Sequence, residues 1–175
     1  MNRFLLLISF LSGSLAVNAQ TISEGTTELG ISGFVDFASA DDTTVQADLS
    51  WGRFVRDYWE LGARSGVASS DSITRFRAGV FTEYHFELDR TFLPFVGVSL
   101  NILAADVDLP GPGGARGSES AISTGIELGA KGFLSPSVAL SGGLVLELAS
   151  QEIFLDRNNV DDHDLRLQIG LRYFF

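Results

Sequence analysis

The sequence predicts an all-β chain, an eight-stranded antiparallel up-and-down transmembrane β-barrel that follows a cleaved signal peptide. Three observations predict it. Apolar side chains recur at every second position in eight separate stretches. The charges inside those stretches fall almost all on the opposite face, together with glycine and serine. The chain also opens on an export signal and contains no cysteine, so stability outside the cytoplasm has to come from the fold rather than from disulfides.

The export signal is read from "MNRFLLLISFLSGSLAVNAQ". Arg3 supplies a basic start, Phe4 to Leu11 an apolar run, and Val17-Asn18-Ala19 a small-x-small end. That pattern places cleavage between Ala19 and Gln20, with residues 1–19 as signal and 20–175 as one barrel domain. The apolar run is too short to cross a bilayer, and no cysteine follows it to take a lipid anchor. A formal net charge of −10, with Lys131 the sole lysine, argues against a nucleic-acid binder, which needs a basic patch to neutralise phosphates. Mean hydropathy is +0.21. The longest charge-free runs, 91–105 and 132–146, still fall short of the roughly 20 residues of a membrane helix and carry proline and glycine.

The eight stretches follow in order. Residues 28–38 set Leu29, Ile31, Val35 and Phe37 against Glu28, Ser32, Phe34 and Asp36. Residues 44–52 set Val45, Ala47, Leu49 and Trp51 against Gln46, Asp48 and Ser50. Residues 59–67 set Trp59, Leu61, Ala63 and Val67 against Glu60 and Arg64. Residues 74–86 set Phe76, Ala78, Val80, Thr82, Tyr84 and Phe86 against Arg75, Arg77, Glu83 and His85. In 95–103, Val96, Val98, Leu100 and Ile102 oppose Gly97, Ser99 and Asn101. In 121–132, Ile122, Ile126, Leu128 and Ala130 oppose Ser123, Glu127 and Lys131. In 137–149, Val138, Leu140, Leu144, Leu146 and Leu148 oppose Ser141 and Glu147. The last stretch, 165–175, sets Leu165, Leu167, Ile169, Leu171, Tyr173 and Phe175 against Arg166, Gln168, Gly170 and Arg172. Each has the length of a tilted strand crossing a bilayer.

Alternation alone also describes a half-buried soluble sheet. The polar face decides the orientation. It is rich in glycine, which suits the crowded interior of a narrow barrel and has no use on a wet surface. The apolar face is therefore read as outward, toward lipid. Arg53 is an exception by parity, at a strand end where it can snorkel. Connections 54–58, 87–90 and 133–137 are tight, whereas 39–43, 68–73, 104–120 and 150–164 are mostly longer, acidic and Gly/Pro-rich. Short turns on one side and longer loops on the other fit an outer-membrane barrel with both termini in the periplasm. Trp51, Trp59, Tyr84, Phe86, Phe92, Tyr173 and Phe175 fall near the short-turn end as an aromatic girdle. Eight strands leave an interior filled by side chains. The inner charges Glu28, Asp36, Asp48, Arg64, Arg75, Arg77, Glu83, Glu127, Lys131, Glu147, Arg166 and Arg172 are expected to pair across strands.

The segments 51–72, 93–101 and 129–144, with the ending "GLRYFF", resemble the small outer-membrane β-barrel domain family of the OmpA/OmpX type. The resemblance covers residues 22–175. It implies an integral outer-membrane protein of Gram-negative bacteria, in contact with outer-membrane lipid and lipopolysaccharide. It also implies that Leu167, Ile169, Leu171, Tyr173 and Phe175 form a C-terminal signal read by the barrel-assembly machinery. The peptidoglycan-binding domain of some relatives is not expected, so neither is tethering to the cell wall.

Two enzymes share this scaffold, a lipid A deacylase and a lipid A palmitoyltransferase, and both need a histidine beside a serine and an acid. His85 is read instead as an interior hydrogen-bonding residue beside Glu83, and His163 lies in the acidic last loop with no His-x-Ser pattern. The acidic tips 41–42, 106–108 and 161–164 offer oxygen but no complete Ca²⁺ or Mg²⁺ motif. The segment "GPGGARG" lacks the lysine and helix of a phosphate loop. No cofactor, metal site or catalytic residue is expected. The expectation is a monomeric, non-enzymatic barrel with a structural or surface-interaction role; the alternatives are a narrow channel for ions or small solutes and a lipid A-modifying enzyme.

Overall fold

The computed structural model describes residues 22–39, 42–69, 73–88, 91–108, 116–151, 154–156 and 159–175. Eight long strands close one antiparallel barrel: β1 (Thr27–Ser39), β2 (Asp42–Arg56), β3 (Trp59–Ser69), β4 (Ile73–His85), β5 (Phe92–Asp108), β6 (Arg116–Ser135), β7 (Val138–Ala149) and β10 (His163–Phe174). Each pairs with its neighbour in sequence, and β10 returns to β1. Between β7 and β10, the strands β8 (Phe154–Asp156) and β9 (Asn159–Asp161) form a small separate hairpin.

Closure is set at one level by Glu28↔Phe174, Leu29↔Tyr173 and Gly30↔Arg172, and the ladder runs up to Gly33↔Ile169. Below it, Thr27 and Phe175 exchange backbone hydrogen bonds of 2.8 and 2.9 Å. The last residue of the chain is thus part of the seam.

Period two decides what faces where. Along β10 the burial alternates without a break from Leu165 to Phe174, with Leu165, Leu167, Ile169, Leu171 and Tyr173 exposed and Arg166, Gln168, Gly170, Arg172 and Phe174 buried. The same holds around the barrel: Leu49, Leu61, Val80, Leu100, Ile126 and Leu144 are all large, apolar and exposed. A water-soluble protein does not leave a continuous apolar exterior of this extent. In hydrocarbon the arrangement is stable, because a closed ladder satisfies every paired backbone group internally. Trp51, Trp59, Tyr84, Phe86, Phe92, Tyr173 and Phe175 ring the short-turn end, all exposed. The outward Thr82 hydroxyl donates to the Glu60 carbonyl and accepts the Trp59 indole N–H at 2.7 Å, so this polar group on the outer face is satisfied locally.

β2, β5 and β6 run three or more residues beyond their expected ends. β5 and β6 continue to the pair Asp108↔Arg116, so much of the expected loop 104–120 is ladder. β2 continues to Arg56 and β6 to Ser135, leaving two-residue turns at Asp57-Tyr58 and Pro136-Ser137. Tyr58 adopts φ 64°, the left-handed residue that a tight hairpin with a bulge requires.

Candidate functional site

The inward face brings the polar residues of all eight long strands into the lumen, where they form two ion-paired layers. The lower layer, toward the short turns, is built around Lys131 of β6, which is 0% exposed. An ammonium group has three N–H donors. Here they meet Glu28 of β1 at 2.6 Å, Glu83 of β4 at 3.0 Å and Glu60 of β3 at 3.4 Å. The rings of Phe95 and Phe174 lie 5.1 and 5.9 Å from the same nitrogen, a distance at which a ring face attracts a cation. Arg172 of β10 holds the other oxygen of Glu28 at 3.6 Å and donates to Ser141 and Ser50. Arg64 of β3 lies 3.5 Å from Glu127 and 3.9 Å from Glu83, with its guanidinium over the Phe81 ring.

The upper layer centres on Glu147 of β7. It accepts hydrogen bonds from Arg77 (3.0 Å), Arg166 (2.7 Å), Ser123 (2.6 Å) and Asn101 (3.1 Å), tying β4, β10, β6 and β5 to β7. Arg77 also reaches Asp48 of β2 at 2.6 Å, and Arg166 reaches Asp164 at 2.5 Å. Asp48 accepts further bonds from Gln46 and Gln168, and Gln168 bonds Ser32 across the seam of β1 and β10. Burying an ion costs several kcal/mol unless its partners are in place. The two layers therefore favour one mutual arrangement of the strands over any slipped one.

Room for these groups comes from the inward glycines. A Cβ on Gly52 would run into the Glu60 carboxylate, and one on Gly66 into that of Asp48. Below the ions, an apolar floor of Phe54, Leu93, Phe133, Ala139 and Phe174 closes the base, and Ile22 tucks up into it from outside the strands. A smaller apolar set, Leu103, Ala105 and Ala121, lies inside at the loop end. The interior is thus not polar throughout, as the alternation had suggested. The signal was present: Phe54, Phe81, Phe95, Phe133 and Phe174 all share the parity of the inward charged or polar residues of their own strands.

Of the interior residues expected from sequence, the structure brings Glu28, Arg64, Glu83, Glu127, Lys131 and Arg172 together in the lower layer. It brings Asp48, Arg77, Glu147 and Arg166 together in the upper one. Arg75 is half-buried and borders a small cavity shared with Asp48, Arg77 and Glu147. Asp36 pairs with Thr44 through the backbone, and its side chain, like Ala19 and Gln20, lies outside the described residues. Glu60, a strand charge by its parity, is fully buried at the centre of the lower layer. His85 lies between the rings of Phe54 and Phe95, at 5.2 and 5.6 Å, and its Nδ1 donates to the Tyr58 carbonyl.

Solved structures share this architecture. The N-terminal β-barrel domain of Pseudomonas aeruginosa OprF matches with a TM-score of 0.64 at 16% identity, over 87% of this chain and 98% of that one. Neisserial surface protein A matches with a TM-score of 0.62 at 17% identity, over 86% and 96%. The chain has the fold of the small eight-stranded outer-membrane β-barrels. Ail, the attachment invasion locus protein of Yersinia pestis, shares this outer-membrane barrel fold with a TM-score of 0.53 at 14% identity, over 87% and 99%. At such identities the likeness of these barrels is one of fold. No family model and no curated protein matches the chain.

Proposed function

We propose that this chain is an integral protein of the Gram-negative outer membrane with a structural or surface-interaction role and no catalysis, inserted as a monomer with both termini in the periplasm. The observation that carries the reading is the pairing of a closed ladder and continuous apolar exterior with an interior whose charges bind one another. Such a chain has lipid and lipopolysaccharide as its surroundings. The packed ion layers and apolar floor favour a filled interior over a conducting one. His85, 1% exposed and enclosed by Phe54 and Phe95, is closed to any substrate. Fractionation tests the reading: the mature chain should stay in the outer membrane through a carbonate wash and migrate faster on gels before heating than after. Release into the wash contradicts it.

The barrel-assembly machinery is the proposed partner during biogenesis, reading Leu167, Ile169, Leu171, Tyr173 and Phe175. These five side chains share the outer face of β10 and are exposed, so they are presented along one edge before the seam closes. Deleting Phe175 should lower the yield in the outer membrane far more than removing one residue from the segment 111–115, which lies between β5 and β6. Because Phe175 also closes the seam with Thr27, both variants should be refolded into micelles as well. A defect seen in cells and absent in micelles is expected; equal yields in cells contradict the assembly role.

A further inference from the structure

The lower layer does not balance. Four carboxylates face one another there, Glu28, Glu60, Glu83 and Glu127, against three fixed cations, Arg64, Lys131 and Arg172. The remaining strands add no charge at this level among the described residues: β2 presents Gly52 and Phe54, β5 presents Phe95, and β7 presents Ala139 and Ser141. One negative charge is left over in a space from which water is excluded, and an uncompensated buried ion is strongly destabilising.

Among the described residues His85 is the titratable group whose ring faces these carboxylates, and its hydrogen bonds make the shortfall specific. Its Nδ1 lies 3.2 Å from the carbonyl oxygen of Tyr58, which can only accept, so Nδ1 carries a hydrogen. Its Nε2 faces Glu83 Oε2 at 3.5 Å and Glu60 Oε2 at 3.9 Å. Lys131 donates to both of these oxygens, but with a neutral ring and two ionised carboxylates no hydrogen lies between either of them and Nε2. Both Nε2 of His85 and Oε1 of Glu60 are buried without a hydrogen-bond partner among the described residues.

We propose that the base of the barrel interior is a proton-binding site, holding one proton shared among Glu60, His85 and Glu83. A single proton brings the layer to neutrality and supplies the missing hydrogen. A divalent cation does not. Ligand atoms of Glu28, Glu60 and His85 do lie within 4.8 Å of one another, but the Lys131 ammonium already binds both glutamates. A doubly charged ion beside it would turn the deficit into an excess and put two cations in contact.

Free carboxyl and imidazole groups release their protons by about pH 4.3 and 6.5, so above neutrality the unfolded chain holds none where the folded barrel holds one. Stability then falls as pH rises, and the unfolding constant grows about tenfold per pH unit. The test is urea unfolding of the mature barrel in detergent micelles with EDTA, from about pH 7 to about pH 9. Wild type should show the tenfold slope. Glu60→Gln balances the layer without a proton, so it should be nearly flat and more stable than wild type at the alkaline end. Glu83→Gln should flatten the slope in the same way, which guards against a defect peculiar to one variant. A flat wild-type profile, or a slope unchanged in both variants, overturns the proposal. So does saturable stabilisation of wild type by added Zn²⁺, without EDTA, that Glu60→Gln abolishes; that result would make the site a metal site.

Discussion

Replacing Lys131 by methionine will cost the folded barrel about 3–5 kcal/mol, or prevent folding altogether, because it leaves buried carboxylates without their cation. The side chain is similar in length and the apolar floor beneath can accept it, so the loss is electrostatic and not a cavity. Lys131 is 0% exposed and holds Glu28, Glu60 and Glu83 at hydrogen-bonding distance from three other strands. No relaxation can bring solvent to all three. Urea unfolding in micelles measures the cost. The double variant Lys131→Met with Glu28→Gln should recover roughly half of it, since one of the orphaned charges is then gone. A single variant within about 1 kcal/mol of wild type would mean that the interior is hydrated and the ions are screened.

Ile126→Arg is the second large effect. Ile126 lies on the outer face of β6, opposite Val98 of β5 and Leu146 of β7, midway between the aromatic girdle and the loop end. An arginine there faces hydrocarbon, with an expected cost of about 2–4 kcal/mol. Leu134→Arg, also outward but next to the Pro136-Ser137 turn, can send its guanidinium to the interface and should cost only about 0–1 kcal/mol. Both residues are exposed, so burial cannot explain a difference between them. Refolding into lipid vesicles followed by denaturant titration reads both. Equal costs would remove the membrane from the explanation of the apolar belt.

The strands and their facing were legible because a bilayer imposes period two on every residue it touches. Leu165 to Phe175 could be assigned to the outside from the sequence alone, and Arg166, Gln168 and Arg172 to the inside. Beyond the membrane that constraint ends. From Ala105 outward the charges Asp106, Asp108, Arg116 and Glu119 fall on both parities and the alternation fades, although the ladder runs on to Asp108↔Arg116. The three-residue strands β8 and β9 are too short to carry any period. The polar run stops just before Phe54 and Phe133, which gives them the look of turn residues, but they continue the inward row and form part of the floor. Which ion pairs with which was not legible at all. Lys131 finds partners 103, 71 and 48 positions away, and only the register of the closed barrel brings those positions to one level.

The structure sets the apolar face of these strands toward lipid and the charged face toward the lumen. The cysteine-free sequence permits a direct test by spin-labelled single-cysteine variants along β10 in bilayers, at Leu165, Leu167, Ile169 and Leu171 and at the intervening Gln168. Collision with oxygen, which concentrates in lipid, and with a water-soluble nickel complex is then measured at each label. The structure predicts high oxygen and low nickel accessibility at Leu167, Ile169 and Leu171, and low accessibility to both at Gln168. Nickel accessibility at Leu167, Ile169 and Leu171 equal to that of a water-exposed label would contradict it.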